Sequence, residues 1–155
     1  MKVHGSYEAY ILFSQHMTNE VEEFWTLALS SSNAVLGIQQ NFRGTVDQCL
    51  FHPRDVFRFA CTTNASKIVV AHNHPSGELQ PSPEDIQVTE RLITLGLLMG
   101  IAVVDHLVLS DSSYLSFASE CPRLFHTNRE QRGRGQASPA EKCKPSRRLA
   151  SLRGD

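Results

Sequence analysis

The chain has 155 residues, of which 41% are hydrophobic and 20% charged, and its formal net charge is −1. That length favours one domain with one buried core. The near-zero balance excludes an electrostatic argument for nucleic acid or a membrane surface acting through the whole chain.

The N-terminus has no basic patch followed by a long apolar region, so no signal peptide is expected. Residues 1–19 fit either a short helix or a strand around Tyr10-Ile11-Leu12-Phe13. Phe24 to Leu29 is rich in strand formers, with Trp25 assigned to the core. Ser30-Ser31-Ser32-Asn33 reads as a turn, and Ala34 to Ile38 as the return strand of a hairpin, extendable through Phe42. Gly44-Thr45 then breaks the pattern before Val46. His52-Pro53 marks a helix start, because proline's missing N–H is unpaired there anyway. Val56, Phe57, Ala60 and Cys61 recur on one helical face, and Asn64 ends the helix.

Ile68 to Ala71 is a short apolar run of buried-strand type. Ser82-Pro83-Glu84-Asp85 has the chemistry of a helix start, with Ser as N-cap, Pro in the first turn and acids behind it. The helix runs to Met99, with Gly100 as its stop. The apolar stretch Leu95 to Val104 is far short of the roughly 20 residues a membrane span needs, so no membrane partner is expected. Ala102 to Leu109 reads as a strand, Ser110 to Ser113 as a turn, and Tyr114 to Phe117 as a short return strand. Alternating strands and helices predict a mixed sheet covered by helices, the α/β class. From Thr127 to Asp155 the apolar period stops, and eight basic residues face three acids, which predicts a disordered tail of about +5. Cys49, Cys61, Cys121 and Cys143 form no C-x-x-C pair. Neither a disulfide scaffold nor a thiolate zinc finger is expected, and a reducing, cytoplasmic compartment is the default.

The stretch from His72 to Asp85 carries the chemistry. His72 and His74, two apart at a strand end, share a face. The helix start at Ser82 orients carboxylates through its free N–H groups. If the intervening loop folds back, two imidazoles and one carboxylate converge and leave one position for water, as in a catalytic zinc site. The bland alternative is that Ser82 and Asp85 form only a capping box. A zincin helix would need two His four apart, and none is present. Hydrolysis also needs a base, and Glu20, Glu22, Glu23, Glu78 and Glu84 all remain open on spacing alone.

From about Glu20 to Phe117 the chain resembles the JAB/MPN domain of bacterial RadC-type proteins, in the JAMM metalloprotease superfamily. His72-Asn73-His74-Pro75-Ser76-Gly77, Pro81-Ser82 and Asp85 carry the resemblance. Gly44-Thr45, His52-Pro53-Arg54, Thr89-Glu90-Arg91-Leu92, Gly100-Ile101 and Asp105-His106 support it. The resemblance implies a three-layer, cytidine-deaminase-like α/β fold with a mixed sheet flanked by helices. It implies one Zn²⁺ per chain held by His72, His74 and Asp85, with Ser82 hydrogen-bonding the developing oxyanion or positioning the water and Glu22 as general acid/base. Glu23, its neighbour on a strand, faces the other way.

The implied organisation is a segment 1–19 of open structure, a JAB/MPN metallohydrolase domain over 20–125, and a basic tail over 126–155. The implied activity is hydrolysis of a peptide or isopeptide bond in a peptide or protein substrate, with no organic cofactor. The helix-hairpin-helix region usual in RadC-type proteins finds no room before the domain. The first rival is a non-enzymatic, DNA-associated accessory protein whose basic tail makes weak, salt-dependent phosphate contacts. The second is an inactive MPN scaffold. Asp105-His106 is a pair in which a carboxylate could orient an imidazole, but the favoured reading of His106 is a satisfied core residue or an outer partner of the site.

Overall fold

The strand runs assemble into one five-stranded sheet of order β2-β1-β3-β4-β5. The computed structural model describes residues 1–44 and 52–126. The strands are β1 (Glu22–Leu29), β2 (Val35–Gly44), β3 (Lys67–Asn73), β4 (Ala102–Leu109) and β5 (Tyr114–Ser116). β1 pairs antiparallel with both β2 and β3, β3 runs parallel to β4, and β4 pairs antiparallel with β5. The one parallel pair needs a crossover, and the helix α3 (Pro83–Met99) supplies it. The remaining helices are α1 (Ser6–Ser14), α2 (Pro53–Thr62), α4 (Phe117–Glu120) and α5 (Pro122–His126).

Strand alternation divides the core into two layers. On one face Phe24, Ala28, Ile68, Val70 and Val108 pack against Val56, Phe57 and Ala60 of α2 and Ile86, Leu92 and Ile93 of α3. On the other face Leu27, Leu29, Val69, Ala71, Leu107 and Leu109 pack against Ala9 and Phe13 of α1. The fold is therefore α/β/α with a mixed sheet, as expected. The first nineteen residues resolve in favour of a helix. Its apolar residues are consecutive, which hides the period, but Ala9 and Phe13 lie four apart and both are buried.

Two burial expectations fail. Cys61 is exposed: at about 100° per residue it stands roughly 90° from the centre of the Val56–Phe57–Ala60 stripe, at the helix margin. Trp25 is half-buried at the edge of the second layer, with its indole N–H donating to Glu23 Oε2 at 2.7 Å. Phe117 opens α4 and does not extend β5. Cys121 is buried. No helix among the described residues is long and apolar enough to cross a membrane. The strand break at Thr45 and Val46, Cys49, Cys143 and the tail from Thr127 lie outside the described residues.

α3 ends where the sequence places its stop, with Gly100 left-handed at φ 71°. The chain then folds back so tightly that a Cβ on Gly96 would lie 2.3 Å from the Ile101 carbonyl oxygen. Gly96→Ala must displace backbone, because Ile101 N also bonds Gly96 O at 2.8 Å. Urea denaturation should show a loss of about 1–3 kcal/mol, the range for overpacking. An unchanged midpoint would mean the return into β4 has slack.

Candidate metal centre

β3 carries the site at its C-terminal end. Ile68, Val70 and His72 alternate onto the α2/α3 face, so His72 continues the core stripe and is 2% exposed. His74 lies just beyond the strand, before a turn closed by Gly77 N bonding His74 O at 2.9 Å, with Gly77 at φ 79°. The chain then reaches the first turn of α3, where Asp85 meets both imidazoles. His72 Nε2 lies 3.2 Å from Asp85 Oδ1 and His74 Nε2 3.2 Å from Asp85 Oδ2. The two Nε2 atoms are 3.0 Å apart.

These separations fit a metal. Donors held tetrahedrally at 2.0–2.1 Å from zinc stand about 3.3 Å from one another. One donor atom from each of the three residues lies within 4.8 Å of the others. Neutral imidazole and carboxylate form the donor set of a catalytic zinc site with an open position.

The imidazole tautomers follow from the hydrogen bonds. The Asp85 main-chain carbonyl can only accept, so the Thr89 hydroxyl donates to it at 2.6 Å. Thr89 Oγ1 therefore accepts from His106 Nδ1–H, also at 2.6 Å. His106 is 1% exposed, and burial, then the charge of His72, pushes its pKa well below the ordinary value. Its Nε2 is thus an acceptor, and His72 Nδ1–H donates to it at 2.7 Å. Along this chain His72 carries a proton on Nδ1, which leaves Nε2 as the ring atom turned toward Asp85. His74 reaches the same state more simply, since its Nδ1 lies 2.9 Å from the Glu78 carbonyl oxygen. Outer hydrogen bonds of this kind fix ligand imidazoles and raise their basicity.

Without a metal the same three groups pair with one another. Burial alone would raise the Asp85 carboxyl, but its hydrogen bonds with His72 and His74 outweigh that and hold it far below the usual carboxylate range. The hydrogen bond to Asp85 raises His74 against the opposing effect of burial, with help from the Glu78 carbonyl and the charges of Asp85 and Glu22.

Asp85 also completes the capping box. Ser82 N donates to Asp85 Oδ2 at 2.8 Å, and Asp85 N donates to Ser82 Oγ at 3.1 Å. The two roles are compatible because a carboxylate has two oxygens, and Oδ1 takes no backbone hydrogen bond in this box. Ser82 Oγ accepts from Asp85 N, so its own O–H is still available to donate.

Of the candidate bases, Glu22 lies on the same sheet face as Phe24, which is in register with His72. Glu23 lies on the opposite face, 1% exposed, accepting from Thr18 Oγ1 and Trp25 Nε1 at 2.7 Å each. Glu20, Glu78 and Glu84 are exposed. Asp105 does not orient the His106 ring. A bulge between β3 and β4 near Val104 shifts the register, so Asp105 faces α1 and accepts from Ser6 Oγ, Ser116 Oγ and Ala118 N. The sequence pattern alone does not mark Thr89 as part of the site. The available signal was its spacing, four residues past Asp85 on one helical face.

The sequence profile described as "RadC-like JAB domain" matches residues 3–122. A UPF0758 protein of Moorella thermoacetica is 45% identical over 95 residues, covering 61% of this chain and 42% of that protein. One from Latilactobacillus sakei is 41% identical over 99 residues, 64% of this chain and 44% of its own length. One from Thermotoga maritima is 40% identical over 119 residues, 77% of this chain and 54% of its own. The chain thus spans about half the length of these curated relatives.

Proposed function

From the premise that the chain belongs to the RadC-like JAB-domain family, we propose that it is a zinc-dependent hydrolase of peptide or isopeptide bonds. One observation carries this reading. Two imidazole Nε2 atoms, each freed by a hydrogen bond at its Nδ1, converge with Asp85 at the spacing of a tetrahedral metal site. His72, His74 and Asp85 would hold the zinc, which would supply Lewis acidity to lower the pKa of a water to about 7 and to polarise a carbonyl.

The chain's own groups do the rest. Glu22, on the site face of β1, takes the proton from the attacking water and later returns it to the leaving amine. The Ser82 hydroxyl donates to the oxyanion of the tetrahedral species at the helix N-terminus, where the dipole favours negative charge. His106 and Thr89 keep His72 in the ligating tautomer.

The test joins metal content to turnover. Elemental analysis of unchelated full-length protein should find about one zinc per chain, and His72→Ala should find none. A panel of peptide and isopeptide substrates should then be cleaved by wild type. Glu22→Gln should keep its zinc and lose on the order of 100-fold or more in rate, the contribution of a positioned acid/base. Wild-type protein holding no divalent metal would sink the proposal. Full activity in Glu22→Gln would reject Glu22 as the base and leave the metal site standing.

A further inference from the structure

The residue between the two histidines takes no part in the metal centre. Asn73 is 0% exposed, and its side chain points to the opposite face of the sheet from His72. There its carboxamide gathers the chain that leads into β1. Asn73 Oδ1 accepts from Glu23 N at 2.7 Å. Asn73 Nδ2 donates to Val21 O at 2.9 Å, to Thr18 O at 3.2 Å and to Asn19 Oδ1 at 3.4 Å. Residues 18–21 precede β1, so their carbonyls have no place in the ladder. A single buried amide does what a strand partner would do.

The buried Glu23 carboxylate closes the same network, accepting from Thr18 Oγ1 and Trp25 Nε1 and lying 3.8 Å from Arg43 Nε. Glu22 sits inside the clamped segment, between Val21, whose carbonyl Asn73 holds, and Glu23, whose N–H it holds. Because side chains alternate, fixing these backbone atoms from the reverse face fixes the direction in which Glu22 leaves the site face.

We infer that Asn73 is a positioning residue, which ties the metal-ligand strand to the Glu22 segment and so sets where the Glu22 carboxylate stands relative to the centre. This rests on the reading of Glu22 as the acid/base. Asn73 suits the task because one carboxamide offers an acceptor and two donors together. Aspartate keeps the acceptor for Glu23 N but turns an oxygen toward the Val21 and Thr18 carbonyls.

The test uses the full chain loaded with cobalt(II), whose visible absorption reports on the centre without a substrate. The spectrum is titrated with pH in wild type, Glu22→Gln and Asn73→Ala, and cobalt affinity is measured in each. Removing the Glu22 charge should move the midpoint to lower pH by about one unit, the size of a nearby-charge effect. Asn73→Ala should move it in the same direction with cobalt affinity within about threefold of wild type, since it leaves His72, His74 and Asp85 in place. Amide exchange at residues 18–23 should quicken in parallel.

Asn73→Ala with a wild-type midpoint overturns the inference. So does loss of cobalt affinity, which would make Asn73 a support of the ligand loop alone. If Glu22→Gln leaves the midpoint unmoved, the assignment of Glu22 itself fails, and that arm separates the two failures. Should Asn73→Ala not fold, Asn73→Ser, which adds no charge, takes its place with the same expected direction.

Discussion

Asp85→Ala is expected to abolish zinc binding and to lower the stability of the metal-free protein by about 1–2 kcal/mol. One side chain carries both effects. Its carboxylate faces His72 and His74 at 3.2 Å each, and it accepts the Ser82 N–H at the start of α3. Alanine removes a ligand charge and half of a capping box together. Asp85→Asn separates them, because an amide oxygen can still accept from Ser82 N. It should keep most of the stability, yet lose more metal affinity than the roughly 10–100-fold that an outer partner is worth.

The pH dependence has a defined sign. In the metal-free protein His74 is raised above its ordinary 6.5 by its hydrogen bond with Asp85, so its contribution to stability is full below that value and is lost as pH rises through the folded pKa. Asp85, held below its ordinary 3.8, contributes above that value and loses the contribution as pH falls through the folded pKa. The gap between wild type and Asp85→Ala should therefore be widest between about pH 4 and 6.5, and narrower at pH 8, where the capping term remains. Urea denaturation across that range, with metal chelated, reads it directly. A pH-independent gap would mean the carboxylate acts only as a cap.

The second large effect lies outside the three candidate ligands. Thr89→Val should weaken zinc binding by about 10–100-fold although the residue is buried and touches no metal donor. Valine has the same shape without the hydroxyl. It leaves the Asp85 carbonyl without the Thr89 donor and His106 Nδ1–H without its acceptor. His106 then gains by moving its proton to Nε2, which sets it against the Nδ1–H of His72. His106→Phe should do as much by removing the acceptor 2.7 Å from His72 Nδ1. Each variant strands a buried polar group, so a stability loss of about 1–3 kcal/mol should accompany the affinity loss. Competition with a chromogenic chelator measures the affinity. Wild-type affinity in both variants would show that His72 ligates without its outer partners.

The two effects differ in how they could be found. Asp85 was legible because helix starts have a local grammar: Ser, Pro and acids at fixed offsets recur wherever orphan N–H groups need partners. The same locality made β1, β3, β4 and the stop at Gly100 readable, because each depends on residues within one strand or one helical turn. The face of Glu22 was also legible in principle, since period-two alternation sets it opposite Glu23 once β1 is granted. The expectation for Cys61 failed because it sits at the edge of its helical stripe, where spacing does not separate buried from exposed.

What the sequence by itself determined is the set of local elements and the ligand-bearing residue types: the paired imidazoles, the capping carboxylate and a mixed sheet under helices. The tertiary structure alone decided how residues far apart in the chain share protons and backbone. It set His106 against His72 across a parallel strand pair, Thr89 beneath both, and the Asn73 amide under residues 18–23. It also turned Asp105 away from the site through one bulge in register. The physical reason is that hydrogen bonds between distant residues depend on strand register and face. A single inserted residue reverses that face and leaves no mark in the local pattern.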